Sequence, residues 1–143
     1  MLVGAVIGVQ SPNVWTAFCF GLISHYLLDF LPHWDYLNSL KVNNKLKMFA
    51  KISLDFIIGI IIVFILTWDY PQKLIIMSAL VGSLLPDLLE FFYANFKMKW
   101  FKPFHDFHYK VHYYKGLCFS KGIPITLFVS FGAIFLLVFS KWG

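Results

Sequence analysis

The chain has 143 residues, of which 59% are hydrophobic, 20% aromatic and 13% charged, with a mean hydropathy of +0.73. A soluble domain carries about 25% charged residues, so the composition excludes an ordinary water-soluble globule and predicts a single helical domain over residues 1–143 with the lipid bilayer as its solvent. The net charge of +5 comes from lysine alone. Those lysines flank apolar spans and form no dense basic module, which excludes a nucleic-acid partner and leaves them to orient the chain and touch anionic headgroups.

Residues 1–9 are apolar but too few to cross a hydrocarbon core of ~30 Å. They lack the basic start and cleavage site of a signal peptide, and they predict a short re-entrant or interfacial helix that packs back on the bundle. Gln10, Ser11, Pro12 and Asn13 break the pattern, and Pro12 suits the first turn of the next helix. Four long apolar spans follow, over about 14–31, 52–68, 74–93 and 123–139. The fold expected is an all-α bundle of about four transmembrane helices plus the short N-terminal helix.

The first span ends in S-H-Y-L-L-D-F-L-P-H-W-D-Y, residues 24–36. Ionisable groups at membrane depth are costly and mark sites. His25, Asp29 and His33 recur every four residues, which stacks them on one helical face. Pro32 either kinks that helix or ends it. Trp34 and Tyr36 suit the membrane interface. The second span carries Asp55 near its start, where an acid also suits the helix dipole. Asp69, Tyr70, Pro71 and Gln72 predict a tight turn, making the second and third spans antiparallel neighbours. The third span holds Asp87 and Glu90 near its end, and the last has no ionisable residue. Between these two lies a lysine-rich aromatic stretch with His105, His108 and His112. Cys19 and Cys118 sit in or beside apolar spans, outside any zinc-ribbon spacing, and read as small apolar fillers.

Ten of the twelve lysines fall in the loops after the first and third spans. With four spans these loops share one side, which the positive-inside rule makes cytoplasmic. The reading is therefore a multi-pass protein of the cell (inner) membrane. Every histidine, and every acid except Asp69, then meets at that cytoplasmic face.

His25 and Asp29, at i and i+4, can reach one cation from one helix, or can simply bond each other at the interface. Asp87 and Glu90, at i and i+3, repel one another unless a cation or shared proton relieves them. Pro86, just before Asp87, frees a backbone carbonyl toward the site. His105, His108 and His112 share one face, as ligands or as an interfacial stripe. His33 and Asp35, beyond Pro32, suit an interfacial place as well as a ligand or supporting one. The mixture of imidazole and carboxylate suits a divalent metal ion: zinc first, with manganese or iron possible, and magnesium if carboxylates alone bind.

The run from Ser24 to Tyr36, followed by G-S-L-L-P-D-L-L-E and a histidine cluster, resembles the membrane-bound metal-dependent hydrolase family of bacteria and archaea. Gly21, Ser24, His25 and Asp29 match its G-x-x-S-H-x-x-x-D segment, and Gly82, Pro86 and Asp87 its G-x-x-x-P-D segment. Departures are Leu88-Leu89-Glu90 after the P-D pair, His105-Asp106-Phe107-His108 in place of a His-Arg element, and Met1-Leu2 where similar sequences often start with a histidine. The resemblance implies metal-assisted hydrolysis, with a phosphoester or lipid headgroup as substrate. His25, Asp29 and Asp87 would then be ligands, joined by His33 or by His105, His108 and His112, and Glu90, Asp55 or Asp35 would serve as general base. The competing readings are a cation- or proton-handling transport protein and a non-catalytic membrane scaffold.

Overall fold

Polar residues break the apolar chain at a few points, and those breaks become its turns. The computed structural model describes residues 1–33, 45–111 and 119–141. The helices are α1 (Leu2–Gln10), α2 (Val14–Phe30), α3 (Lys45–Thr67), α4 (Lys73–Phe96), a 3-10 turn at Lys99–Phe101, α5 (Lys102–Val111) and α6 (Phe119–Phe139), with no strand among the described residues.

Three of these helices are long and apolar enough to cross a membrane: Phe49–Thr67, Lys73–Phe96 and Ser120–Phe139. The first expected span, α2, is a shorter apolar helix of 17 residues. It ends at Phe30 with Leu31 in extended backbone, because the residue before a proline is pushed out of the helical region. Pro32 therefore stops the helix and does not kink it. At the other end Asn13, not Pro12, begins α2, its Oδ1 accepting from the Thr16 amide at 3.0 Å. The third helix starts at Lys45, earlier than the hydropathy profile suggests, since lysine is a good helix former and needs no lipid to coil.

Among the described residues the most extensive helix contact is between α2 and α4. Lipid offers no hydrophobic incentive for helices to associate, so small residues that let backbones approach take that role. Gly21 lies against the backbone of Ala79, and Gly82 against that of Phe18, so close that a Cβ on either would overlap main-chain atoms. Ala17, Gly21, Ser24 and His25 form the buried face of α2, and Ala79, Gly82, Ser83 and Pro86 belong to the buried face of α4. The two helices run in the same direction, with Val14 bonded to Ser78 at one end and His25 to Ser83 further along. Their acid-bearing ends consequently coincide.

Helix α1 runs antiparallel against α4, placing Gly4 beside Ser83 and Gly8 beside Ile76. It packs back on the bundle as expected, burying Ala5 and Val6 in a core shared with Val63, Ile76, Ala133 and Leu137. The turn between α3 and α4 is tied down by Tyr70, whose hydroxyl donates to the Leu137 carbonyl, and by Gln72, whose amide donates to the Val9 carbonyl at 2.9 Å. Lys73 caps α3 by donating to the carbonyls of Thr67 and Trp68.

A test of the crossing follows directly. Gly21→Ala is expected to force α2 and α4 apart and to lower stability by about 1–3 kcal/mol, the usual effect of overpacking. Gly132→Ala on α6, where a Cβ meets nothing within 4 Å, is expected to leave stability unchanged or raise it slightly. Thermal melts of the two variants in the same detergent should separate cleanly, and equal midpoints would contradict the crossing.

Candidate metal centre

His25 leaves the buried face of α2 just where that helix meets the loosened turn of α4. Pro86 has no amide hydrogen for the Gly82 carbonyl, and in that turn the neighbouring Ser83 carbonyl lies 2.8 Å from His25 Nδ1. A carbonyl can only accept, so Nδ1 carries the proton and donates. The other ring nitrogen, Nε2, is thereby aimed at two carboxylates, 3.0 Å from Asp29 Oδ2 and 3.6 Å from Asp87 Oδ1. An imidazole neutral at Nε2 would set a lone pair against two carboxylates. Either a second proton or a cation must lie between them.

A third element closes the group. His108, on α5, brings its Nε2 to 3.0 Å from the same Asp29 oxygen. The two imidazoles meet edge to face with centroids 5.3 Å apart, and Tyr26 packs against both, backed by Phe107. His25 and His108 are buried, Asp29 is 17% exposed and Asp87 66% exposed. Asp87 is thus the most exposed of the four.

Two geometric features fit a metal ion. His25 Nε2 and His108 Nε2 both converge on Asp29 Oδ2, each at 3.0 Å. Donor atoms from His25, Asp87 and His108 also lie within 4.8 Å of one another. Ligands at about 2.1 Å from a metal sit roughly 3.0 to 3.4 Å apart, depending on bond angle; the contacts of His25 and His108 to Asp29, at 3.0 Å, fall at the lower end of that range, and the 3.6 Å from His25 to Asp87 lies just above it. The Nδ1 bond of His25 to a backbone carbonyl is the outer contact that orients metal-binding histidines in general. Two imidazoles with two carboxylates form a donor set suited to zinc.

Outside the expected membrane spans, His108 has its pKa above the ordinary 6.5. Burial works against a charge on the ring, but the contact with Asp29 outweighs it, helped by the charges of Asp87 and Glu90.

The other candidate residues go elsewhere. His105 shares a helical face with His108 but turns to Glu90, its Nδ1 lying 2.5 Å from Oε2, while its ring stacks on Tyr93 at 4.3 Å. Glu90 is one turn beyond Asp87, so this pair borders the centre without joining it. His33, past the end of α2, bonds the Leu31 carbonyl through Nδ1 at 2.8 Å and is not in the cluster. Asp55 is exposed on α3, whose main packing partners among the described residues are α1 and α6. Asp35, His112 and Cys118 lie outside the described residues, and Cys19 is a free, exposed thiol.

Two participants escape a reading of the chain alone. The Ser83 carbonyl is chosen by where α2 crosses, although Pro86 marks the right turn. Tyr26, adjacent to His25, looks like one more interfacial aromatic until α5 docks on it.

No family model, curated protein or solved structure matches the chain.

Proposed function

We propose that this chain is a membrane-embedded, metal-dependent hydrolase whose zinc site comprises His25, Asp29, Asp87 and His108 and whose substrate is a phosphoester or a lipid headgroup. One observation carries the reading: a histidine fixed by a backbone carbonyl presents its free nitrogen to two carboxylates, and a second histidine meets one of them. In this reading α2 is a fourth span, at the lower end of the ~17–25 residues needed. The protein resides in the inner membrane with the site at the cytoplasmic face, on the lysine distribution. The likeness of Gly21, Ser24, His25, Asp29, Gly82, Pro86 and Asp87 to the hydrolase motifs points the same way.

A divalent ion, when bound, supplies Lewis acidity toward a phosphoryl or acyl oxygen and lowers the pKa of water. The chain's own residues supply the rest. His25 and His108, held by Ser83 and by the Tyr26–Phe107 packing, keep the donor set rigid. Asp87, the most exposed of the four, marks where substrate enters. Glu90 shares the α4 face of Asp87 and is the general base: it takes a proton from attacking water and returns it to the departing oxygen. His105 positions the Glu90 carboxylate by donating from Nδ1.

The test is turnover by the zinc-loaded protein on a panel of phosphoesters and phospholipids. Glu90→Gln is expected to lower kcat by about 10²- to 10⁴-fold with bound zinc unchanged. No turnover on any substrate, with zinc fully bound, would leave a metal-stabilised scaffold. Transport is disfavoured because the last span, residues 123–139, offers no ionisable group along its length.

A further inference from the structure

Helix α4 stops at Lys97, whose left-handed backbone (φ 53°) turns the chain off the helix axis. The 3-10 turn Lys99–Phe101 and α5 come next, before α6. They join two helices that are long and apolar enough to cross a membrane, and a segment between two such spans stays at one membrane face.

The ten residues of α5 divide into three stripes. His105 and His108 face the bundle, where they meet Glu90 and Asp29. Lys102, Asp106 and Lys110 recur at i, i+4 and i+8, with Lys102 paired to Asp106 at 2.6 Å. Phe104, Phe107 and Val111 recur at i, i+3 and i+7. At 3.6 residues per turn the three stripes lie roughly 100–130° apart. Phe104 and Phe107 are 51% and 52% exposed, although Phe107 also touches the Tyr26 ring. Trp100, in the preceding turn, is 87% exposed. Residues 97–111 hold four lysines, at 97, 99, 102 and 110, against one acid, Asp106.

We propose that α5 lies in the plane of an anionic bilayer surface, with Phe104 and Phe107 in the upper acyl layer and Lys97, Lys99 and Lys110 among phosphate headgroups, so that His108 is held at headgroup depth. The inference goes beyond the hydrolase reading and needs no bound metal. Aromatic residues on one face of a helix and lysines on another are what an interfacial helix presents, its apolar side sinking ~5–10 Å while its cations meet anionic lipid. The bilayer is also the surface to which the two flanking spans tie this segment. A second copy is disfavoured, because a two-fold contact through the same face would set lysines against lysines, and Asp106 is already paired to Lys102.

The experiment uses the full-length protein with Cys19→Ala and Cys118→Ala, carrying a nitroxide on Phe104→Cys in one preparation and on Lys110→Cys in another. Each is reconstituted into vesicles of phosphatidylcholine and phosphatidylglycerol. Electron paramagnetic resonance then compares collisions with oxygen, which concentrates in lipid, and with a neutral nickel chelate, which concentrates in water. The label at 104 is expected about 5–10 Å below the phosphates, and the label at 110 in water. In phosphatidylcholine alone, or with Lys97→Gln, Lys99→Gln and Lys110→Gln combined, the label at 104 is expected to move toward water. Phe107→Cys serves if the first variant fails to fold. A label at 104 as open to the nickel chelate as that at 110 would overturn the inference. So would shielding from both reagents, the mark of a covering protein, or a depth indifferent to lipid charge and to the glutamine variant. The depth is expected to be the same in metal-stripped and zinc-loaded protein, so failure of the hydrolase reading would leave the seated helix in place; a helix seated only with zinc bound would also contradict the inference.

Discussion

Asp29→Asn is expected to lower zinc affinity by more than about 100-fold, beyond the 10- to 100-fold typical of residues that merely support a ligand. The reason is positional. A single oxygen, Asp29 Oδ2, is 3.0 Å from both His25 Nε2 and His108 Nε2, so the carboxylate is the hinge of the donor set. Asparagine keeps the shape but removes the charge. The same variant should also lower the His108 pKa in the metal-free protein, since burial then acts without the carboxylate that outweighs it. Competitive zinc titration and an NMR pH titration of the imidazoles measure the two effects. Retained affinity, with an unshifted His108, would show that Asp29 is a bystander.

The second large effect is a pH dependence of opposite sign in the metal-free and zinc-loaded protein. His108 has a raised pKa in the folded chain, against about 6.5 when unfolded. Its pairing with Asp29 therefore contributes stability that is fully present below about pH 6.5 and is lost as pH rises through the raised value. Zinc needs the neutral imidazole, so its binding, and the stability it confers, grow over that same window. The gap in melting midpoint between loaded and metal-free protein should widen from about pH 5 to about pH 8. A gap that is constant with pH would mean that zinc, if it binds, does not displace a proton from His108.

How far the chain could be read in advance depended on what each residue required of its neighbours. The apolar spans were legible because lipid leaves no other solvent for so many exposed isoleucines and phenylalanines. His25, Asp29 and Asp87 were legible because a titratable group within such a run is costly wherever it points. The split between His105 and His108 was not. Both lie on one face of α5, and only its docking against α2 and α4 sends His108 to Asp29 and His105 to Glu90. Pro32 left two outcomes open, a kink or a stop, and the stop carries His33 away from the face it would have shared with His25. The loose packing of α3 on α4 was not legible either, because a tight turn predicts adjacency but says nothing of how closely the two helices pack.

The central claim is that His25, Asp29, Asp87 and His108 hold one divalent ion. Its most direct test is the metal content of the protein purified in mild detergent without added metal or chelator, compared with a variant carrying both His25→Ala and Asp29→Ala. About one zinc per wild-type chain, and none in the folded double variant, is the expected result. A wild-type chain without stoichiometric metal, or a double variant with the same content and stability, would contradict it.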